Sequence, residues 1–127
     1  MEQATNSIKV LLVEDEETLS NIVKNELTDA GYNVLVAKDG EDALLVATNS
    51  KPDIVLLDLV LPKKGGIDVL EDFKKNELLK NIPVIILSNL AESESIKKAL
   101  SLGAKDYFIK SQHPISDISE KIKEYIS

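Results

Sequence analysis

The chain of 127 residues predicts one α/β domain in which five strands and five helices alternate, (βα)5, with the strands parallel. Three observations carry that class. Short runs of branched and aliphatic residues recur along the whole sequence, and the segments between them have apolar residues at helical spacing. Gly and Pro stand at the transitions. One run, Ile54-Val55-Leu56-Leu57, is apolar without interruption between Pro52 and Pro62, as a strand covered on both faces must be.

The elements follow in order. Lys9 to Val13 is the first strand. Leu19, Ile22, Val23, Leu27 and Ala30 fall at helical spacing after it, with Gly31 as the stop. Asn33 to Ala37 is the second strand, and Asp39-Gly40 opens a helix whose apolar face is Ala43, Leu44 and Ala47. The third strand ends at Asp58. A loop with Gly65-Gly66 then leads to a helix presenting Ile67, Leu70 and Phe73. Pro83 to Leu87 is the fourth strand and ends at Ser88. The next helix turns Ile96, Ala99 and Leu100 inward and closes at Gly103. Asp106 to Ile109 is the fifth strand, and the last helix carries Ile115, Ile118, Ile122 and Ile126. Right-handed crossovers are expected between such parallel strands. No repeat, linker or low-complexity segment interrupts the pattern. A flexible polar tail over residues 1–7 and a single domain over 8–127 are therefore expected.

Composition removes several functions. A net charge of -7 argues against direct binding to nucleic acid, which needs a basic face. There is no cysteine, so no disulfide framework and no thiol chemistry; this is compatible with a reducing, cytoplasmic setting. No apolar run approaches the roughly 18 residues of a membrane span. The polar start, Met1-Glu2-Gln3-Ala4-Thr5-Asn6-Ser7, has neither the basic nor the apolar region of a signal peptide, so none is expected there.

The chemistry lies at the strand ends. Open α/β sheets place their ligands beyond the carboxyl ends of the strands. Here the first strand ends in Glu14-Asp15-Glu16-Glu17, the third in Asp58, the fourth in Ser88 and the fifth in Lys110. If strands one and three are neighbours, Glu14, Asp15 and Asp58 converge. Two carboxylates about 5 Å apart repel by roughly 3 kcal/mol at an effective dielectric near 20. Such a cluster needs a cation, Lys110, or a raised pKa. Hard oxygen ligands select Mg²⁺ or Mn²⁺, and Mg²⁺ uses one or two carboxylates together with phosphate. Each piece alone has a plainer reading. Residues 14–17 could be an acidic helix start, Asp58 a turn cap, and Ser88 and Lys110 solvated surface.

The pieces together resemble the response-regulator receiver domains of two-component signalling, from Ile8 to about Ile126. The carriers are Val10-Leu11-Leu12-Val13-Glu14-Asp15-Glu16, Asp53 to Pro62, Gly66, Val84 to Ser88, Gly103-Ala104 and Asp106 to Lys110. The resemblance implies a flavodoxin-like three-layer sandwich with sheet order 2-1-3-4-5 and a site at the switch point between strands one and three. It implies that Asp58 accepts a phosphoryl group and that Asp15, Asp58 and the Val60 backbone carbonyl bind Mg²⁺. Glu14 would reach the metal through water. Lys110 would pair with Asp58 and then with a phosphoryl oxygen, Ser88 would bond another, and Tyr107 would be the aromatic switch beside Ser88. Phosphoryl transfer asks mainly for positioning and charge neutralisation, which this set supplies.

Four departures from the family pattern stand out. Glu14 replaces the commoner aspartate. Asn89 follows Ser88 in place of a small residue. Ser111 follows Lys110 where a cis-proline is usual, and a cis bond before a non-proline costs about 2.5 to 4 kcal/mol. Val60 and Leu90 are apolar where many relatives are polar, which leaves a hydrolytic water unoriented and predicts a long-lived phosphoprotein.

Competing classes fit less well. A dehalogenase-like phosphatase wants a second acid two residues after the first, and that position is Val60. A flavodoxin needs a Ser, Thr and Gly loop where this chain has four acids. A phosphorylation-independent receiver-type docking module keeps the fold but leaves the acceptor set idle. His113, before Pro114, is expected to be surface. The implied function is a phosphorylation-activated switch. It takes phosphate from a histidine kinase or phosphotransfer protein and presents a changed face around residues 92–126 to a protein target, catalysing only its own phosphoryl transfer and dephosphorylation.

Overall fold

The computed structural model describes residues 8–89 and 93–126. The expected tail lies outside the described residues. Strands β1 (Lys9–Val13), β2 (Asn33–Ala37), β3 (Ile54–Asp58), β4 (Val84–Ser88) and β5 (Asp106–Ile109) form one sheet, order β2-β1-β3-β4-β5, and every pairing is parallel. Between and after them run α1 (Glu17–Asp29), α2 (Gly40–Ser50), α3 (Gly66–Lys75), α4 (Ser93–Ser101) and α5 (Asp117–Ile126). No helix among the described residues is long and apolar enough to cross a membrane.

The pleat divides the strand residues between two cores. Leu11, Val13, Val55, Leu57, Val84 and Ile86 pack with Ala43, Ala47, Leu70, Phe73 and Ala99 of α2, α3 and α4. Their neighbours Val10, Leu12, Ile54, Leu56, Ile85 and Leu87 pack with Val23, Leu27, Ile118 and Ile122 of α1 and α5. Helices on both faces explain why β3 and β4 are buried at every position and read as unbroken apolar runs.

Three inward expectations yield to geometry. Ile22 and Leu100 are exposed because each adjoins a residue, Val23 and Ala99, that already holds the inward position, and successive helical residues point about 100° apart. Ala30 is exposed as the C-cap of α1, with Gly31 beyond it at φ 102°. Ile115 precedes α5 in a turn closed by Asp117 N–H donating to the Pro114 carbonyl, and it packs on the core from there.

Candidate functional site

Two backbone ladders run one bond past their strands and place the site. Glu14 N–H donates to the Ala37 carbonyl at 3.0 Å, prolonging β1 along β2, and Lys110 N–H donates to the Ser88 carbonyl at 2.8 Å, prolonging β5 along β4. Register then sets Val13 beside Leu57 and Asp58 beside Leu87. Glu14 and Asp58 thus end adjacent strands at the same level. Glu14, Asp58 and Lys110 also continue the alternation of Leu12, Leu56 and Phe108, residues of a single core, so their side chains leave the sheet on one side.

There the Lys110 ammonium donates to Glu14 Oε1 at 2.9 Å and to Asp58 Oδ2 at 3.2 Å. Glu14 and Asp58 are buried, whereas Asp15 is exposed at the rim. One oxygen each from Glu14, Asp15 and Asp58 lies within 4.8 Å of the others. Burial raises the Glu14 pKa; the bond from Lys110 opposes that and the Asp58 charge adds to it, so the net shift is upward. Burial works against the charge on Lys110, but its bonds to Glu14 and the field of Asp58 prevail and hold its pKa above the ordinary value. Three carboxylates against one ammonium leave negative charge unmatched in the cluster. Hard oxygens, close spacing and a charge surplus together fit a hydrated divalent cation.

The loop after β3 is built to keep Asp58 in place. Val60 N–H donates to Asp58 Oδ1 at 3.1 Å, an aspartate turn, and Gly66 N–H donates to the Leu59 carbonyl at 3.0 Å. A Cβ on Gly66 would come within 2.5 Å of the Asp58 carbonyl oxygen, so only glycine lets α3 start so close to the acceptor. Val60 is 60% exposed in this loop, while Leu90 lies outside the described residues.

The remaining sequence candidates divide. Ser88 is buried, and its Oγ donates to the Asn89 carbonyl at 2.9 Å. It stands one position beyond Leu87, which pairs with Asp58 across the sheet. Tyr107 is exposed and borders a groove of about 220 Å³ with Ile96, Leu100 and Ile109. The Lys110–Ser111 peptide is trans, as are all described peptides. His113 is a surface residue whose ring lies 5.5 Å from that of Phe108.

Sequence reasoning missed two features. One is the Glu14–Lys110 bond, shorter than the bond to Asp58; no local signal marks it, because the partners lie 96 residues apart. The other is the Lys63–Asp39 pair at 3.6 Å, with Lys63 at φ 66° in the loop after Asp58.

An acid pocket bridged by a lysine, at the switch point of a parallel sheet of order β2-β1-β3-β4-β5, defines a class of flavodoxin-like α/β domain. The chain belongs to that part of the class known as the response regulator receiver domain, whose family pattern matches residues 10–123. Over 115 residues it is 36% identical to the alkaline phosphatase synthesis transcriptional regulatory protein PhoP of Bacillus subtilis, covering 91% of this chain and 47% of that protein. It thus spans about half the length of the curated relatives it matches. The receiver domain of Francisella response regulator 1452 superposes with a TM-score of 0.85 at 28% identity, over 94% of this chain and 97% of that one. The receiver domain of a Pseudomonas aeruginosa sensor histidine kinase, solved with a magnesium ion in its active-site cleft, gives a TM-score of 0.85 at 25% identity, over 94% and 97%. The chain is a regulatory phosphoacceptor domain, a phosphorylation-activated switch of two-component signalling.

Proposed function

We propose that Asp58 is the phosphoacceptor, with Lys110 and Ser88 as its partners in the transfer. The observation that supports it is the Lys110 ammonium held between Glu14 and Asp58 at the mouth of β3. Asp58 Oδ attacks phosphorus in line and the donor's leaving group departs with the bonding pair. Lys110 neutralises the charge on the transferring oxygens, and the Ser88 hydroxyl turns from Asn89 to donate to one of them. Asp15, Asp58 and the Val60 carbonyl would hold Mg²⁺ or Mn²⁺, with Glu14 behind a water; the ion would supply further neutralisation of phosphoryl charge.

In this reading residues 8–127 are the receiver unit, working in the cytoplasm without contacting nucleic acid itself. A histidine kinase or phosphotransfer protein is the donor. The output is a protein target on the face around residues 92–126, where the exposed Tyr107 would swing as Ser88 moves. Perturbation of amide shifts across 93–126 by a beryllofluoride phosphate mimic tests that face; shifts confined to the loop around Asp58 would refute it.

The acceptor is tested by intact mass after incubation with acetyl phosphate. The phosphoryl increment should form with Mg²⁺ and vanish in chelator and in Asp58→Asn. An increment surviving in Asp58→Asn would overturn the assignment. Once formed, the phosphoprotein should decay slowly, and Val60→Asn, by orienting a water, should speed that decay several-fold.

A further inference from the structure

The loop between β3 and α3, residues 59–65, bears Val60 and is fastened at points well beyond Asp58. Lys63 stands at φ 66°, in the left-handed region, and Lys64 N–H donates to the Pro62 carbonyl at 2.7 Å across it. A three-residue turn of this hand is rare, and it is strained for any residue but glycine. The Lys63 ammonium lies 3.6 Å from Asp39 Oδ2. Asp39 is a fixed anchor: it is the N-cap of α2, its Oδ1 accepts from Asp42 N–H at 2.8 Å, and its side chain is only 18% exposed. The next residue, Gly40, packs so closely on the loop that a Cβ there would collide with the Lys64 carbonyl. On the other side Lys64 pairs with Asp72 of α3. Strain at Lys63 favours a different path for the loop, and the ion pair to Asp39 opposes that escape.

We propose that Asp39 and Lys63 are positioning residues for the metal site: their ion pair holds the strained turn, and the turn holds the Val60 carbonyl where a divalent cation can use it. The inference rests on the metal reading above, in which Val60 supplies a ligand. A loop that leaves the turn part of the time has fewer molecules ready for the ion, and apparent affinity falls by the fraction that stay ready. A pair as open to water as this one, with Lys63 62% exposed, shifts such an equilibrium by up to about fivefold. Saturating ion restores the ready loop by mass action, so the phosphorylation rate at saturation is spared. The field of the two charges alone predicts something else. Removing the Lys63 charge would draw a cation in, and removing the Asp39 charge would loosen it. Loss of the pair weakens binding in both cases.

The experiment titrates MgCl₂ into the ¹⁵N-labelled full chain at constant ionic strength and follows the Asp15 and Asp58 amides. Asp39→Asn keeps the helix cap and drops the charge, whereas Lys63→Met keeps the stem and the strained turn. Both should raise the half-saturating concentration about two- to fivefold. The double variant should be no worse than either, since the same pair is lost only once. Lys63→Gly, whose backbone takes the turn without strain, should give a smaller rise than Lys63→Met. The rate of phosphorylation by acetyl phosphate at saturating MgCl₂ should match wild type in every variant. Shifts of opposite sign in Asp39→Asn and Lys63→Met would mean that only the field of the charges acts, and would overturn the proposal. Unchanged half-saturation in both would overturn it too and leave the metal site standing. If MgCl₂ moves neither amide in wild type, the metal reading itself fails and takes this inference with it.

Discussion

The two ends of β5 carry opposite arrangements of charge. At the amino end one acid meets three donors. Asp106 Oδ2 accepts from Tyr125 OH at 2.7 Å and Lys121 Nζ at 3.0 Å, and Oδ1 accepts from Tyr107 N–H at 2.8 Å. Burial opposes the Asp106 charge, but the bonds from Tyr125, Tyr107 and Lys121 prevail and hold its pKa below the ordinary value. Past the carboxyl end one lysine faces three acids, and burial raises the pKa of the deepest of them, Glu14. The first cluster is satisfied and ties α5 to the sheet. The second is left with a demand for positive charge, and that demand makes it a site.

The sharpest way to break the comparison is to remove the lysine at each end. Lys110→Met leaves Glu14 and Asp58 without a counter-charge, and removing one partner of a buried pair costs roughly 3 kcal/mol. Lys121→Met leaves Asp106 with Tyr125 and the Tyr107 N–H in a more exposed setting, so the loss should be about 1 kcal/mol or less. Urea unfolding in chelator measures both. Equal losses would mean that the two clusters do not differ in kind.

Magnesium comes next. At a hundredfold excess over its dissociation constant a bound ion adds about 2.7 kcal/mol of stability. Lys121→Met should keep that gain and Asp58→Asn should lose it. In chelator Asp58→Asn should melt above wild type, because one of the mutually repelling carboxylates is gone. A lower midpoint there would count against a strained acidic pocket.

The smallest effect concerns the satisfied end. Tyr125→Phe removes one hydrogen bond, worth about 1 kcal/mol. The Tyr125 hydroxyl is pushed up to about 12, first by its bond to Asp106 and then by burial. A raised acid stabilises the fold fully below its unfolded pKa, about 10 for tyrosine, and that contribution is lost as pH rises through the folded value. The stability gap between wild type and Tyr125→Phe should therefore be constant up to about pH 10 and close toward pH 12. A gap that widens with pH would show that the Asp106 bond does not set the Tyr125 pKa.

Much of this was legible in the residues. The unbroken apolar runs of β3 and β4 report burial on both faces, and the groups that matter, Glu14, Asp15, Asp58 and Lys110, stand where strands stop. Ile22 and Leu100 fall on the apolar stripes yet are exposed, since periodicity marks a face but not which of two adjacent apolar residues holds it. The Asp106–Tyr125 tie gave no signal at all, its partners being unremarkable surface types 19 residues apart.

By itself the sequence determined the class of fold, the supply of chemical groups and their placement at strand ends, because these follow from local periodicity and turn chemistry. Tertiary structure alone decided who meets whom. Setting β1 beside β3 and extending two ladders by one bond brought Glu14 and Lys110 together across 96 residues, and Asp58 and Lys110 across 52. The same packing left Lys110 closer to Glu14 than to the acceptor. Such contacts depend on strand register and on desolvation, and both come into being only when the sheet has formed.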